Sequence, residues 1–419
     1  MTNDGLPRRP LEGVRIVDFT HVLVGGYCSL MWSSLGAECI KIESSARRDP
    51  LRSRSGRAAA QDRTQGQMSV RRARGGLDEF GLNKRSITLN LREPRAIELA
   101  KRVVAVSDMV GENFRPGVLE RRGLGWEVLR EVNPGLVYIS MSAGGGFGPD
   151  REDAGYASVF AAMSGFSSMW GYEDGPPVLF RLPSDMCAGA MGAFVSIAAL
   201  VRARRTGKGQ HIDLANRETL ASYLGDAFLD YSYNGRVPAR RGNRHPAWAP
   251  HGVYPSAGEH EGGRWITIAV TSDEEWRALV GAMGAPEWAG DPRFEHVEGR
   301  LANQDELDAR IGEWTADQDC FELMERLQAV GVAATPVGYP EDVAASPQLE
   351  ARGAWREVPL PNDEGTTRWF SPPWRFSKTP TDILEPAPEM GEANHYVFCE
   401  LLGMDEDEVE QLSAEGVIA

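Results

Sequence analysis

Short apolar runs and helically spaced apolar positions alternate through the first half of the chain. Val14–Thr20 (VRIVDFT) is a run of strand-forming residues closed by a loop, and Glu38–Glu43 (ECIKIE) and Leu136–Met141 (LVYISM) have the same character. Ser86–Leu91 (SITLNL) alternates with period two, and Asp108–Phe114 (DMVGENF) reads as a strand running into a loop. Between them, Tyr27–Ala37 (YCSLMWSSLGA) and Pro94–Ser107 (PRAIELAKRVVAVS) read as helices, the second with Pro94 in its first turn, where a missing N–H is tolerated. Strand–helix–strand repeats imply a parallel sheet with right-handed crossovers. The pattern predicts an α/β, doubly wound domain over residues 1–225.

The texture then changes. Leu51–Gly81 is polar and rich in Arg and Gly, and reads as a long surface excursion whose positive charge meets either solvent or a phosphate-bearing ligand. Residues 226–262 are rich in Gly, Pro and Arg and read as a linker. Beyond them, Arg264–Val270 (RWITIAV) and Val332–Pro340 (VAATPVGYP) read as strands. Ser272–Gly284, Asn303–Gln318 and Asp319–Gly331 read as helices, the first with an acidic first turn and a Gly stop. A smaller α+β domain over 263–340 follows. Residues 341–419 hold strand-like segments at Trp355–Leu360 and Arg368–Ser377 and a last helix from about Asn394.

Composition narrows the function. A net charge of −15 over 419 residues argues against a general nucleic-acid binder and against anionic membrane surfaces. The first residues lack the apolar core of a signal peptide, and the longest apolar stretch, around Ala190–Val201, reads as too short to span a bilayer. Five scattered cysteines (Cys28, Cys39, Cys187, Cys320, Cys399) without a CxxC suggest reduced thiols and a cytoplasmic setting. The histidines form no metal-binding cluster, so no metal is expected. The first strand is followed by HVLVGGYC rather than GxGxxG, and neither a P-loop nor a GxSxG elbow is present.

One stretch raises a chemical question. Leu179–Leu200 (LFRLPSDMCAGAMGAFVSIAAL) sets a single carboxylate, Asp185, before sixteen uncharged residues. A charge beside such a stretch costs free energy unless something satisfies it. If Met186–Arg204 is a helix, Asp185 or Ser184 is its N-cap. The sharper reading is a nucleophile at a helix start, where small neighbours admit a bulky substrate.

Six segments carry a resemblance to a known family. They are LEGVRIVDFTHVLVGGYCSLMWSSLGAECIKIE, LNKRSITLNLREP, ENFRPGVLERRGLGWEVLREVNPGLVYISMSAGGGFGP, YASVFAAMSGF, DMCAGAMGAFVSIAALVRARRTGKGQHIDLA and GEANHYVFCELLG. In this order and spacing the chain resembles the family III CoA-transferases (the CaiB/BaiF group), which include formyl-CoA transferase, carnitine CoA-transferase and α-methylacyl-CoA racemase. The resemblance implies a large Rossmann-like domain built from both chain ends, so that 341–419 is a linker and a return to it, with the small domain inserted between. It also implies two protomers threaded through one another as an interlocked dimer.

The resemblance places Asp185 at the family's catalytic aspartate. It implies an acyl-CoA:carboxylate CoA-transferase working through an aspartyl mixed anhydride and an aspartyl-CoA thioester, with acyl-CoA and a carboxylic acid as substrates and no permanently bound cofactor. His21 and Val22 then line the pantetheine path, Leu89 and Arg92 lie near the nucleotide, and Asn113, Phe114, Arg121 and Tyr156 match further CoA positions. An Arg suits phosphate because its planar fork donates two hydrogen bonds. Three departures stand out. Ala157 replaces an assisting carboxylate, Tyr156 stands where the racemase branch has His, and Leu23 replaces a polar residue of the oxalate-using enzymes. The last, with the aromatic linker, implies an acceptor larger and more apolar than oxalate, lined by Trp170, Tyr172, Trp248 and Tyr254. The alternatives are a racemase or isomerase acting on a CoA thioester, and a partner subunit of a hetero-oligomeric transferase rather than a homodimer.

Overall fold

The computed structural model describes residues 9–52, 80–180, 182–359, 365–380 and 385–419; most of the Arg-rich Leu51–Gly81 segment lies outside them. The chain divides into two compact units, one of Met1–Ser167, Leu179–Arg236 and Ala351–Ala419, the other of Ser168–Val178 and Val237–Glu350.

The larger unit is built on six parallel strands: β1 (Arg15–Asp18), β2 (Glu38–Glu43), β3 (Lys84–Thr88), β4 (Met109–Glu112), β5 (Val137–Ser142) and β6 (Gln210–Ala215). Their order is β3-β2-β1-β4-β5-β6, which reverses direction between β1 and β4. Period-two alternation sends successive residues to opposite faces. Val17, Ile40, Ile87 and Val110 bury one way, with Leu99 and Val103 of helix α2 (Pro94–Ala105). Ile16, Cys39, Met109 and Ile139 bury the other way, with Trp32 of α1 (Val22–Ser34) and Ala193 and Leu200 of α5 (Leu182–Thr206). Helices α3 (Trp126–Val132) and α4 (Ala157–Met163) complete the framework between them. The C-terminal segment seals the β3 side. Ala393 N–H donates to Ser86 O at 2.9 Å, and Asn394 bonds both the N–H and the hydroxyl of Thr88 at 2.9 Å.

In the smaller unit, β7 (His251–Ser256), β8 (Arg264–Ala269) and β9 (Ala333–Pro336) form an antiparallel sheet. Helices Asp273–Ala282, Gln304–Thr315 and Cys320–Ala329 close a core of Tyr254, Ile266, Ile268, Trp276, Leu307 and Leu323 over it.

Several boundaries differ from the sequence expectation for physical reasons. Helix α1 begins at Val22, five residues before the expected Tyr27, because the Gly25–Gly26 pair that reads as a loop is buried inside the helix. Helix α5 begins at Leu182 rather than Met186, since Pro183 is tolerated in a first turn; Asp185 therefore lies inside that turn and is not the N-cap. Starting there, α5 is a 25-residue helix long and apolar enough to cross a membrane, contrary to the length inferred from Ala190–Val201. Its small residues Ala188, Gly189, Gly192 and Ala193 are buried. The stretch 226–262 is not a bare linker: helix Gly225–Asn234 and β7 occupy parts of it, and β7 pairs with β8, so the smaller unit begins at Val237. The final helix is Glu406–Ala414, preceded by a π-helical turn at Tyr396–Leu401.

Candidate active site

At the C-terminal edge of the large sheet, a cleft of about 680 Å³ lies among the segments that follow β1, β2, β4, β5 and β6 and the first turn of α5. Open α/β sheets bind ligands at this edge, near the reversal of strand order. Glycines set its geometry. A Cβ on Gly189 would sit 2.6 Å from Val24 O and 3.1 Å from the Cys28 nitrogen, and one on Gly192 would sit 2.6 Å from Met141 Sδ. Helix α5 therefore packs main chain to main chain on α1 and directly on β5. This brings Asp185 into the cleft beside the start of α1.

Asp185 is 8 % exposed. Its carboxyl makes no hydrogen bond or ion pair among the described residues, and burial alone pushes its pKa from 3.8 to about 7. A carboxylate with no competing partner is a better nucleophile than one held in a salt bridge.

The opposite wall is a strained turn under tight control. Val22 has φ +60°, an outlying conformation for a β-branched residue. Asn113 clamps the residue before it: His21 N–H donates to Oδ1, and Nδ2 donates to His21 O, both at 2.8 Å. Val22 N–H lies 3.3 Å from both carboxylate oxygens of Asp49. Lys41 pairs with Asp49 at 3.3 Å and donates to Thr20 O at 2.6 Å. Beneath lies the buried pair Asp18–Lys84, 3.4 Å apart. Burial opposes the Asp18 charge, but Lys84 and Lys41 hold its pKa below the ordinary value. For His21, burial and then Lys41 lower the pKa, favouring the neutral ring. The His21 side chain makes no capping hydrogen bond to α1, Asp49 takes the N–H of its first residue, and the next residues, Leu23 and Val24, line the cleft.

A second hollow of about 120 Å³ shares His21, Arg47, Phe114 and Val118 with the cleft and adds Phe19, Ile42, Leu89, Arg92 and Arg122. The two together offer a long, bent lining. Arg47, Arg48 and Arg115 line the cleft with guanidinium groups that have no hydrogen bond or ion pair among the described residues.

The residues named from sequence divide as follows. Asp185, His21, Val22, Asn113, Phe114 and Tyr156 line the cleft, Tyr156 at its mouth with 73 % exposure. His21 and Phe114 meet edge to face at 5.2 Å. Leu89 and Arg92 line the second hollow; Leu89 is fully buried and belongs to the core as well. Arg121 lines neither hollow, and Arg122 takes its place, donating to Leu91 O at 2.5 Å. Both sit on the 3₁₀ turn Glu120–Arg122, where successive side chains diverge by about a third of a turn. Trp170, Tyr172, Trp248 and Tyr254 belong to the smaller unit and are not among the cleft-lining residues; Tyr254 is core, its hydroxyl 2.8 Å from Asp308. Sequence reasoning missed Arg47, Arg48, Arg115, Ser142 and Asn216, all of which line the cleft. Among the described residues no group of three or more His, Cys, Asp or Glu is placed to hold a metal ion.

Comparison with known proteins shows the family. Succinyl-CoA–D-citramalate CoA-transferase of Chloroflexus aurantiacus is 35 % identical over 413 residues, covering 98 % of this chain and 99 % of that protein. The succinyl-CoA–L-malate CoA-transferase beta subunit of the same organism is 30 % identical, covering 98 % of each chain. The crystal structure of a CaiB/BaiF family protein from Brucella suis superposes with a TM-score of 0.82 at 31 % identity, covering 94 % of this chain and 100 % of that one. Residues 11–394 match CoA-transferase family III, and the chain belongs to that family.

Proposed function

We propose that this enzyme moves CoA from an acyl-CoA donor to a carboxylic acid acceptor, with Asp185 as the nucleophile. The observation that carries the reading is Asp185 itself: buried, without a partner among the described residues, and in a cleft whose lining continues into an Arg-bearing hollow. The cationic hollow suits the nucleotide phosphates, and the narrow path past His21 and Phe114 suits the pantetheine arm.

The chemistry proceeds in balanced steps. An Asp185 carboxylate oxygen attacks the thioester carbonyl carbon; the C–S bond breaks, leaving a mixed anhydride and CoA thiolate. The thiolate attacks the aspartyl carbonyl, releasing the donor acid and forming an aspartyl-CoA thioester. The acceptor carboxylate attacks that thioester and again expels the thiolate, which takes the acceptor acyl group from the new anhydride and frees Asp185. Each thioester is exchanged for another, so no external energy source enters. Covalent catalysis divides one hard transfer into easier ones. The tetrahedral intermediates need hydrogen-bond donors, a role for the first-turn N–H groups of Leu23 and Val24 in α1, both of which line the cleft.

The relatives' names favour dicarboxylic acids, with succinyl-CoA as a donor. A homodimer is the proposed assembly, interlocked as the family resemblance implies. Phe194, Phe228, Leu229, Tyr231 and Tyr233 are exposed on α5 and on helix Gly225–Asn234, and a second copy would cover them.

The decisive experiment is intact-protein mass spectrometry after brief incubation with succinyl-CoA and a panel of other acyl-CoAs. A hydroxylamine-sensitive CoA adduct mapped to Asp185 is expected. A protein that binds CoA but forms no adduct with any thioester would overturn the reading.

A further inference from the structure

Where β1 turns into α1, each main-chain group from Thr20 N–H to Val22 N–H is held by a side chain. Thr20 N–H donates to Asp18 Oδ1 at 2.8 Å, and Thr20 O accepts from Lys41 Nζ at 2.6 Å. Asn113 takes the N–H and the C=O of His21, and the Asp49 carboxylate takes Val22 N–H. Lys41 Nζ stands 3.3 Å from Asp49 Oδ2, so one ion pair grips the turn on both sides of His21. Leu51 N–H fixes Asp49 from its own loop at 2.9 Å. Lys41 and Asp49 are both buried, and neither lines the cleft.

A buried ion pair adds little stability over apolar residues of the same shape, because taking the charges out of water costs about what their attraction returns. This pair has a task of another kind. Val22 has φ +60°, a conformation unfavourable for a β-branched residue that persists only where the surroundings over-determine it. Lys41 and Asp49 supply that constraint. Burial opposes both charges, yet their partners outweigh it: the Asp49 pKa is lowered, chiefly by Lys41, and that of Lys41 is raised by Asp18 and Asp49.

The strained residue is the first of α1. Leu23 and Val24 come next and line the same cleft as Asp185, and their N–H groups have no partner among the described residues. First-turn N–H groups point out of the end of a helix, so the conformation of Val22 sets their aim. A donor to a developing oxyanion acts only from the right place, and a shift of about 1 Å is enough to cost about 100-fold in rate.

We propose that Lys41 and Asp49 are positioning residues for the transfer reaction, holding Val22 in its left-handed conformation so that the first turn of α1 stays aimed at the tetrahedral intermediate on Asp185; this rests on the transfer reading above. The test measures CoA-adduct formation with succinyl-CoA, both its rate at saturation and the concentration giving half that rate. Asp49→Asn keeps the shape but sets an NH2 donor against Lys41 or against the Leu51 N–H. Lys41→Met keeps the stem and removes the contacts to Thr20 and Asp49. Each is expected to slow the saturated rate about 10- to 100-fold, with the half-saturating concentration changed less than about threefold. Glycine takes a positive φ without strain, so in the Val22→Gly background the same Asp49→Asn change should cost no more than about threefold. That coupling separates positioning through Val22 from a general loss of stability, which slows both backgrounds alike. An equal loss in the two backgrounds overturns the proposal. So does an unchanged rate, or a raised half-saturating concentration with the rate intact. One comparison leaves the ion pair in place and decides even where those variants fail to fold. Val22→Gly and Val22→Ala both remove the side chain, but only alanine keeps the strain. Val22→Gly should therefore melt at least about 2 °C above Val22→Ala; equal melting temperatures would mean that the pair has no strain to hold, and overturn the proposal as well. Wild type that forms no adduct at all marks failure of the transfer reading itself, whereas each outcome above leaves wild-type reaction intact.

Discussion

Gly189 on α5 faces the carbonyl of Val24 on α1 so closely that a methyl group at residue 189 would lie 2.6 Å from that oxygen. The obstacle is main chain, which cannot rotate aside as a side chain does. Gly189→Ala should therefore push α5 off α1, costing about 2 kcal/mol of stability. It should also slow transfer, because Asp185 lies one turn away on the same helix. Urea unfolding and kcat measured on one preparation check both effects. A variant as stable and fast as wild type would show that the helices do not need this contact.

The nucleophile carries a cost in stability whose sign with pH is fixed. Burial pushes the Asp185 pKa up to about 7 in the folded protein, against 3.8 for an ordinary Asp carboxyl. Below that lower value the group is neutral in both states and the cost is absent. Between the two the unfolded chain ionises first, so stability falls as pH rises, and above about 7 the full cost remains. The gap corresponds to an upper figure on the order of 4 kcal/mol. Asp185→Asn, which keeps the shape and removes the charge, should thus raise the melting temperature by several degrees at pH about 8 and leave it nearly unchanged at pH about 4. Calorimetry at both values decides; a variant less stable at the higher pH would contradict the buried, partnerless placement.

Much of this architecture was legible because apolar runs mark buried strands, as for β1, β2, β4 and β5. Strand β6 escaped notice: only its last residue, Ala215, is buried, while polar His211 and Asp213 face outward. The start of α1 was hidden by glycines that read as loop yet serve close packing, Gly25 lying against Thr20. In the site, Asp185 was visible as an isolated carboxylate with a family resemblance. Arg47, Arg48 and Arg115 were not, since an Arg in a loop looks the same whether solvated or facing a ligand. Ser142 and Asn216 are conspicuous only for lacking partners, a property of the folded chain that no local sequence pattern carries.

Only the ionised Asp185 attacks a thioester. The rate of adduct formation at low acyl-CoA concentration should therefore rise with pH and level off above about 7, following the free enzyme. Rapid-quench mass spectrometry between pH about 5.5 and 8.5 gives the profile. A rate independent of pH across that range would mean that the carboxyl is already ionised, and that some group besides those described here holds its charge.

The clamp on His21 makes a separate prediction. Asn113→Ala leaves the N–H and C=O of His21 without their 2.8 Å partners next to the strained Val22. The expected loss is about 1–2 kcal/mol of stability, with slower adduct formation because the wall facing Asp185 loses its shape. If thermal unfolding and adduct rate both match wild type, Asp49 and Lys41 alone hold the turn.

Adjacent arginines give the sharpest contrast between the sequence expectation and the structure. Family resemblance points to Arg121, whereas Arg122 and Arg47 line the hollow assigned to the nucleotide. If the phosphates sit there, Arg47→Ala and Arg122→Ala should each raise KM for acyl-CoA about tenfold, the loss of one charge-assisted hydrogen bond. Arg121→Ala should shift it much less. Raising the salt concentration should weaken binding by wild type more than by the Arg47 variant, which has one less cation to be screened. The reverse order, with Arg121→Ala the most damaging, would move the nucleotide to the outer face of the Glu120–Arg122 turn and detach the second hollow from the reaction.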